Sequence, residues 1–363
     1  MTKAQHIAAF TEMMWEWYRR HKRVLPWRDL KIKDDTQRAY LVLVSEIMLQ
    51  QTQVPRVEIM FKKFIRTFPS LEALAHASNR DVILAWRGMG YNSRALRLRD
   101  AAKKIVQYFG LQFPQNMEEL LSIKGIGPYT AAAVRNFAFN LPTPCLDTNI
   151  RRILHRVFIG PERRDGTWRK NDKYLLKLAG EVLDIALLSP TRPARGAPSP
   201  TLLRSSGATE GQAGGGQRRR QRPPPLGGRV GDGGKDWHAA LMDFGSLVCT
   251  KNNPKCQQCP LRHRCTSVNR VKPHRSKLKA GSSKLREPGR EIAGKFVPNR
   301  IIRGRIVEEL RDAPKGLALN DIGGRVCIDW DAKEHREWLH GILEKLKRDA
   351  LIRSEGKRLM LAE

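Results

Sequence analysis

The chain of 363 residues carries 67 Lys and Arg against 36 Asp and Glu, a formal net charge of +31. That excess goes far beyond what solubility needs and points to a polyanionic partner. Nucleic acid is favoured over a membrane, because no segment reaches the roughly 18 consecutive apolar residues of a bilayer span. Met1 to Phe10 carries no secretory pattern, and four of the six cysteines crowd into one stretch, which reads as a metal site in a reducing compartment rather than a disulfide framework.

In chain order, residues 6–20 place Ile7, Phe10, Met14 and Trp17 at helical spacing. The pattern predicts an apolar helix over 39–49, then helices over 56–68, 71–77, 81–86 and 93–109, punctuated by Pro69, Gly88, Gly90 and Gly110. No convincing run of alternating strands is present, so the expected fold class is all-α. Residues 1–187 and 235–268 read as one helical domain. Between them, 188–234 is rich in Pro, Gly, Arg and Ser, with Arg218, Arg219 and Arg220 in a row and Pro223 to Pro225 close behind. Such a stretch cannot bury a core and reads as a disordered insert or a shifted reading frame. Basic residues mark 269–297 as a linker. In 298–363, helices are expected over 301–310 and 337–346, followed by a hairpin around Glu355-Gly356-Lys357, the makings of a small winged-helix-like domain.

Within the helical part, motifs that could carry chemistry follow one another. Ser45 to Gln53 contains Glu46 inside an apolar helix, followed by Gln50, Gln51 and Thr52. Burial would raise the pKa of such a carboxyl and suit it to general acid work, although a structural pair with Lys or Arg explains a buried Glu equally well. The amides that follow could bond to bases or wedge into a duplex. Gly125-Ile-Gly127-Pro-Tyr129 places a tight turn ahead of a small-residue helix, whose first N–H groups could hold a phosphate. An ordinary helix–helix turn would look the same. Asp147 precedes Thr148-Asn149-Ile150 at the start of another helix, where a plain N-cap accounts for it without chemistry. Cys249, Cys256, Cys259 and Cys265 form C-x6-C-x2-C-x5-C. Four thiolates so spaced can hold a cubane cluster or zinc.

Together and in this order, these motifs resemble the helix-hairpin-helix DNA glycosylases with an iron-sulfur cluster, the family of endonuclease III and MutY. The resemblance covers roughly residues 10–187 and 236–266, and it implies a helix-hairpin-helix glycosylase fold with an iron-sulfur loop holding a [4Fe–4S] cluster. Leu25-Pro26-Trp27-Arg28, Ser45 to Gln53, Gly88-Met89-Gly90-Tyr91 and Trp237 to Gly245 are similar to the adenine branch. Tyr129 stands where the bifunctional lyases carry their Schiff-base lysine, which implies a monofunctional hydrolase.

By the same resemblance, Glu46 would protonate adenine at N7 and Asp147 would stabilise the positively charged sugar. Tyr129 would hold that region, and Asn149 would orient the acid and water. Gln50, Gln51, Thr52 and Tyr91 would meet the duplex as the target base flips out. Gly125 and Gly127 would grip the backbone, and Trp27 and Arg28 would line the base pocket. The implied activity is excision of adenine opposite guanine or 8-oxoguanine, on double-stranded DNA with a mismatched or damaged pair. The expected form is a monomer, cytoplasmic and associated with the nucleoid. The sequence departs from the adenine branch at Ala239, where a Gln or Glu is common, at Asn92, where a second tyrosine is often found, and in lacking a MutT-like C-terminal domain. Ala239 keeps open a thymine or uracil mismatch glycosylase, and the winged-helix-like domain keeps open a non-catalytic iron-sulfur DNA-binding regulator.

Overall fold

A computed structural model describes residues 1–28, 30–163, 165–191, 234–268, 270–271 and 287–363. The stretch read as an insert lies almost wholly outside the described residues, as does much of the predicted linker. The chain divides into two units, Met1–Asp29 with Pro128–Arg275, and Leu30–Gly127 with Ser276–Glu363.

The first unit opens with α1 (Lys3–His21), started by a capping box in which Thr2 and Gln5 satisfy each other's backbone N–H groups. The second unit contributes α2 (Asp35–Leu49), α3 (Val54–Thr67), α4 (Leu71–His76), α5 (Asn79–Ala85), α6 (Ser93–Phe109) and α7 (Met117–Ser122). The first unit is completed by α8 (Pro128–Phe137), α9 (Thr148–Phe158), α10 (Asp172–Leu188) and α11 (Gly234–Leu247). Its core is aromatic. Trp15 and Trp237 meet edge to face at 5.2 Å, Phe10 packs on Trp237 at 5.9 Å, and the Trp15 indole N–H donates to the Ala186 carbonyl at 3.0 Å.

In the second unit, α2 buries every residue from Ala39 to Met48, Glu46 among them, which is why its sequence is apolar all round rather than on one stripe. The helix starts earlier than its apolar run because Asp34 caps it through the Gln37 N–H at 2.8 Å. Similarly, α3 begins ahead of Pro55, which the first turn tolerates because that N–H has no intrahelical partner. Tyr40, Phe64 and Trp86 form the centre of this core, and the Tyr40 hydroxyl donates to the Phe68 carbonyl at 2.7 Å.

The C-terminal part of the second unit contains β1 (Gly289–Ile292), β2 (Lys295–Pro298), α12 (Asn299–Arg311), β3 (Leu317–Ala318), α13 (Leu319–Val326), α14 (Ala332–Arg348), β4 (Ile352–Glu355) and β5 (Arg358–Leu361). The last three strands form an antiparallel sheet in the order β3-β5-β4. Helices and a small sheet with a hairpin at Glu355 to Arg358 make up this C-terminal part, for which the sequence reading expected a winged-helix-like domain. The β1–β2 hairpin was not expected. It lies in the tract read as linker and turns at Ala293 and Gly294, both at positive φ (48° and 73°), the conformation that a two-residue hairpin turn requires. The overall fold is helical with a small C-terminal sheet, and among the described residues no helix is long and apolar enough to cross a membrane.

Candidate active site and cysteine loop

In the first unit, Asp147 is the N-cap of α9. Its Oδ1 accepts from the Ile150 N–H at 2.6 Å, so the plain capping role is real. Its second oxygen is also engaged, because Oδ2 accepts from the Asn149 side-chain amide at 2.7 Å. Asn149 is itself held, its Oδ1 accepting from Arg152 Nη2 at 2.7 Å. Arg152 is buried and donates further to the carbonyls of Gly245 at 2.7 Å and Cys249 at 2.6 Å. Burial pushes the Asp147 carboxyl above the usual carboxylate range, opposed by the Ile150 N–H, the Asn149 amide and the Arg152 charge. A capping carboxylate needs one acceptor oxygen. Here both are directed, and a buried guanidinium fixes the group that directs the second.

Gly245 makes this close approach possible. A Cβ there would fall 2.5 Å from the Asn149 Cβ, so α11 can present its carbonyl to Arg152 only with glycine at this position. Along the same helix Asp243 is fully buried, with Arg23 at 2.6 Å and Arg28 at 2.8 Å. The Arg28 guanidinium is therefore tied to α11, and Trp27 beside it is 6% exposed.

Cys249, Cys256, Cys259 and Cys265, all free, line one cavity with Val157, Phe244, Leu261 and Arg156. Desolvation pushes the Cys249 and Cys265 thiols up, and Cys259 up to about 12. Thiolates are unfavourable there without a counter-charge. Arg156 Nη1 stands 3.8 Å from Cys249 Sγ, and the same guanidinium grips the loop through the carbonyls of Thr250 at 2.7 Å and Lys251 at 3.0 Å. The cavity gathers a soft donor set beside a cation, although among the described residues no group of three or more His, Cys, Asp or Glu is arranged to hold a metal ion. Arg152 and Arg156, one turn apart on α9, thus bind both the loop and the Asp147 shell.

In the second unit, Glu46 is 6% exposed on α2. Beyond the helix end, Gln50 and Gln51 are exposed, Thr52 is half-buried, and Gln51 has a positive φ of 56°. A second loop, 88–92, carries Tyr91, 48% exposed and also at positive φ (46°). Arg94 joins the loops. Its Nη1 donates to the carbonyls of Ile47 at 3.0 Å, Met48 at 3.2 Å and Gln50. Its Nη2 donates to Thr52 Oγ1 at 3.2 Å, Met89 O at 3.2 Å and Gly90 O at 3.3 Å. A non-glycine residue at positive φ persists only where its surroundings hold it, and Arg94 supplies that hold. Farther on, α7 ends at Ser122, Gly125 turns the chain at φ +101°, and α8 starts at Pro128 with Tyr129 half-buried in its first turn. Gly125 and Gly127 are exposed.

Sequence reasoning singled out both carboxylates, the hairpin and the cysteines, and gave no role to Arg94, Arg152, Asp243 or Gly245. A weak signal existed for Gly245, as a glycine inside a helical pattern usually has a packing reason.

A family model described as "HhH-GPD superfamily base excision DNA repair protein" matches residues 44–179. An adenine DNA glycosylase of Mycolicibacterium smegmatis is 31% identical over 297 residues, covering 82% of this chain and 78% of that protein. The rat adenine DNA glycosylase is 32% identical over 286 residues, 77% of this chain and 46% of the relative, and the human one is 33% identical over 270 residues, 73% and 40%. The chain therefore spans less than half the length of these mammalian relatives. Among solved structures, a thermostable thymine-DNA glycosylase superposes with a TM-score of 0.54 at 22% identity, covering 73% of this chain and 98% of that one. Endonuclease III in a non-covalent DNA complex gives 0.50 at 16%, covering 74% and 98%. The structural likeness speaks for the fold alone. The sequence identity to the mycobacterial relative, along most of both chains, goes further, and the chain belongs to the adenine DNA glycosylases of the HhH-GPD superfamily.

Proposed function

We propose that this chain is a monofunctional DNA glycosylase that hydrolyses the N-glycosidic bond of adenine mispaired with guanine or 8-oxoguanine. The observation that carries the reading is the Asp147 carboxylate, half-buried and held through both oxygens by more structure than a helix cap requires. Glu46 donates a proton to adenine N7, and the C1′–N9 electron pair leaves with the base. Asp147, ionised, stabilises the cationic sugar until water adds at C1′ to give an abasic site. Asn149 orients Asp147. Tyr129 offers no amine, so no Schiff base forms and the strand stays intact. Gln51 and Tyr91 fill the stack left by the flipped base, Gln50 and Thr52 contact the DNA beside them, and the amides around Gly125 and Gly127 hold a phosphate. Trp27 and Arg28 support the base pocket from the α11 side.

Cys249, Cys256, Cys259 and Cys265 would hold a [4Fe–4S] cluster, which supplies a covalent staple for the loop rather than redox chemistry at the base. The organisation proposed is a glycosylase domain over 1–187 and 235–268, an insert over 188–234, a linker over 269–297 and a C-terminal domain over 298–363. It acts as a monomer on duplex DNA in the nucleoid.

The test is product analysis on duplexes with A:G, A:8-oxoguanine, T:G and U:G pairs. Alkali-dependent scission at adenine supports the proposal. Excision confined to thymine or uracil overturns it in favour of the mismatch reading raised by Ala239, and binding without any base release leaves a DNA-binding regulator.

A further inference from the structure

The C-terminal domain is a poor candidate for a second DNA clamp. Residues 298–363 carry 14 Lys and Arg against 12 Asp and Glu, in a chain whose net charge is +31. Many of those cations are paired, Arg303 with Asp349, Arg325 with Glu309 at 3.3 Å, and Arg353 with Glu355 at 2.8 Å and Glu363 at 2.5 Å. What this domain does make is a specific contact with the Tyr91 loop. Arg311, at the end of α12, has a fully buried side chain. Its Nη2 donates to the Ile83 carbonyl at 2.9 Å and to Asn92 Oδ1 at 3.1 Å, while Nη1 meets Glu308. Around it, Arg87 bonds to Asp312 and approaches Glu308 at 3.5 Å, and Arg300 Nη1 reaches the Tyr91 hydroxyl at 3.4 Å.

Asn92 stands at the N-cap of α6 with helical backbone angles (φ −55°, ψ −26°) rather than the extended ones of a capping residue, and its side chain makes no cap hydrogen bond. Its side-chain oxygen accepts from Arg311. The residue beside it is Tyr91, held off the ordinary backbone regions in a loop that also places Gly88 and Gly90 at positive φ (82° and 68°). The loop carries backbone bonds of its own, Met89 N–H to the Trp86 carbonyl at 3.1 Å and Arg94 N–H to the Tyr91 carbonyl at 2.9 Å, and side chains from other elements add the hold that its positive-φ residues need.

We propose that Arg311 is a positioning residue through which the C-terminal domain fixes the Tyr91 loop, so that this domain is an internal strut of the DNA-reading surface rather than a separate binding module. The inference rests on the proposed stack-filling role of Tyr91. Arg94 holds the loop from the α2 side and Arg311 from the α12 side, and the two guanidiniums act on neighbouring parts of one loop.

The experiment uses the full chain on an A:G duplex, with single-turnover base release, affinity for undamaged duplex, and hydrogen exchange at the amides of Arg87, Met89, Arg94 and Ala95, all of which are hydrogen-bonded. Arg311→Met should lower base release about tenfold and raise exchange at those amides, with affinity within about twofold of the parent, roughly the scale for losing one buried hydrogen-bonding group. Arg311→Lys should recover part of the rate. Tyr91→Ala combined with Arg311→Met should be no slower than Tyr91→Ala alone. Arg353→Ala should match the parent. If Arg311→Met unfolds, Asn92→Ala, which leaves the Ile83 bond in place, should show the same loss and the same coupling to Tyr91. Multiplicative losses in the double variant, or unchanged exchange in the loop, would overturn the proposal. A parental rate in Tyr91→Ala overturns the role of Tyr91 instead, and the exchange data then decide the docking by themselves.

Discussion

Asn149→Ala removes one of the two directed bonds on Asp147 together with the 2.7 Å bond that Asn149 Oδ1 accepts from Arg152. The variant keeps Cβ, so its packing against Gly245 survives, and Arg152 retains its bonds to the carbonyls of Gly245 and Cys249. The Ile150 N–H still reaches Oδ1, so α9 stays capped. What Asp147 loses is the 2.7 Å bond to Oδ2, one of the contacts that oppose the desolvation of this carboxyl. A hydrogen bond to an ionised group contributes about 1.5–3 kcal/mol. At about 1.36 kcal/mol per pH unit, its loss should raise the Asp147 pKa by roughly one to two units. The sign follows from the role. Asp147 acts ionised, so base release falls as pH drops through its pKa, and a higher pKa moves that acid limb to higher pH. Single-turnover adenine release across the acid range, read as alkali-labile sites, measures the limb directly. A limb at the parental pH would refute the idea that Asn149 supports a working carboxylate, and a limb displaced downwards would contradict the electrostatics of the site.

Other expectations follow from the same geometry. Asp147→Asn should abolish base release, yet its Tm above neutral pH should match or exceed the parent's. Asn caps about as well as Asp, and a carboxyl whose pKa is raised on folding destabilises the native state once pH passes its unfolded value. A thermal melt well below the parent would show that the charge is structural. Glu46→Gln should bind mismatched duplex with near-parental affinity and release base at least about a hundredfold more slowly, the range for one general acid; near-full activity removes Glu46 from the mechanism. Gly245→Ala, which forces a methyl against Asn149, should cost about 1–3 kcal/mol in denaturant melts and slow base release in parallel. Full retention of both would mean that α11 shifts without consequence. Cys256→Ser should lose iron and broad visible absorption and lower the folded yield, and a parent that contains stoichiometric zinc without iron would dispose of the cluster assignment.

The candidate site residues were legible because each leaves a local mark. Glu46 breaks an apolar helix, Gly125 and Gly127 punctuate a helix pair, Asp147 precedes a helix start, and the cysteines share a short spacing. The β1–β2 hairpin left only a faint mark, Ala293-Gly294 between short mixed strands, and charged neighbours hid it.

The sequence by itself determined the helical class and the family, and it singled out the two carboxylates and the four cysteines as candidates, because those features depend on residue type and near-neighbour spacing. Only the tertiary structure decided what the arginines do. Arg94 bonds residues more than forty positions earlier, Arg152 reaches Gly245 and Cys249, and Arg311 reaches Ile83 and Asn92. In a chain with 67 Lys and Arg, composition assigns every cation to the phosphate backbone by default. A guanidinium that braces a loop differs from one that meets DNA only in where the fold places it. Burial and carbonyl acceptors brought in from distant segments make that difference, and neither has a period or a motif to read.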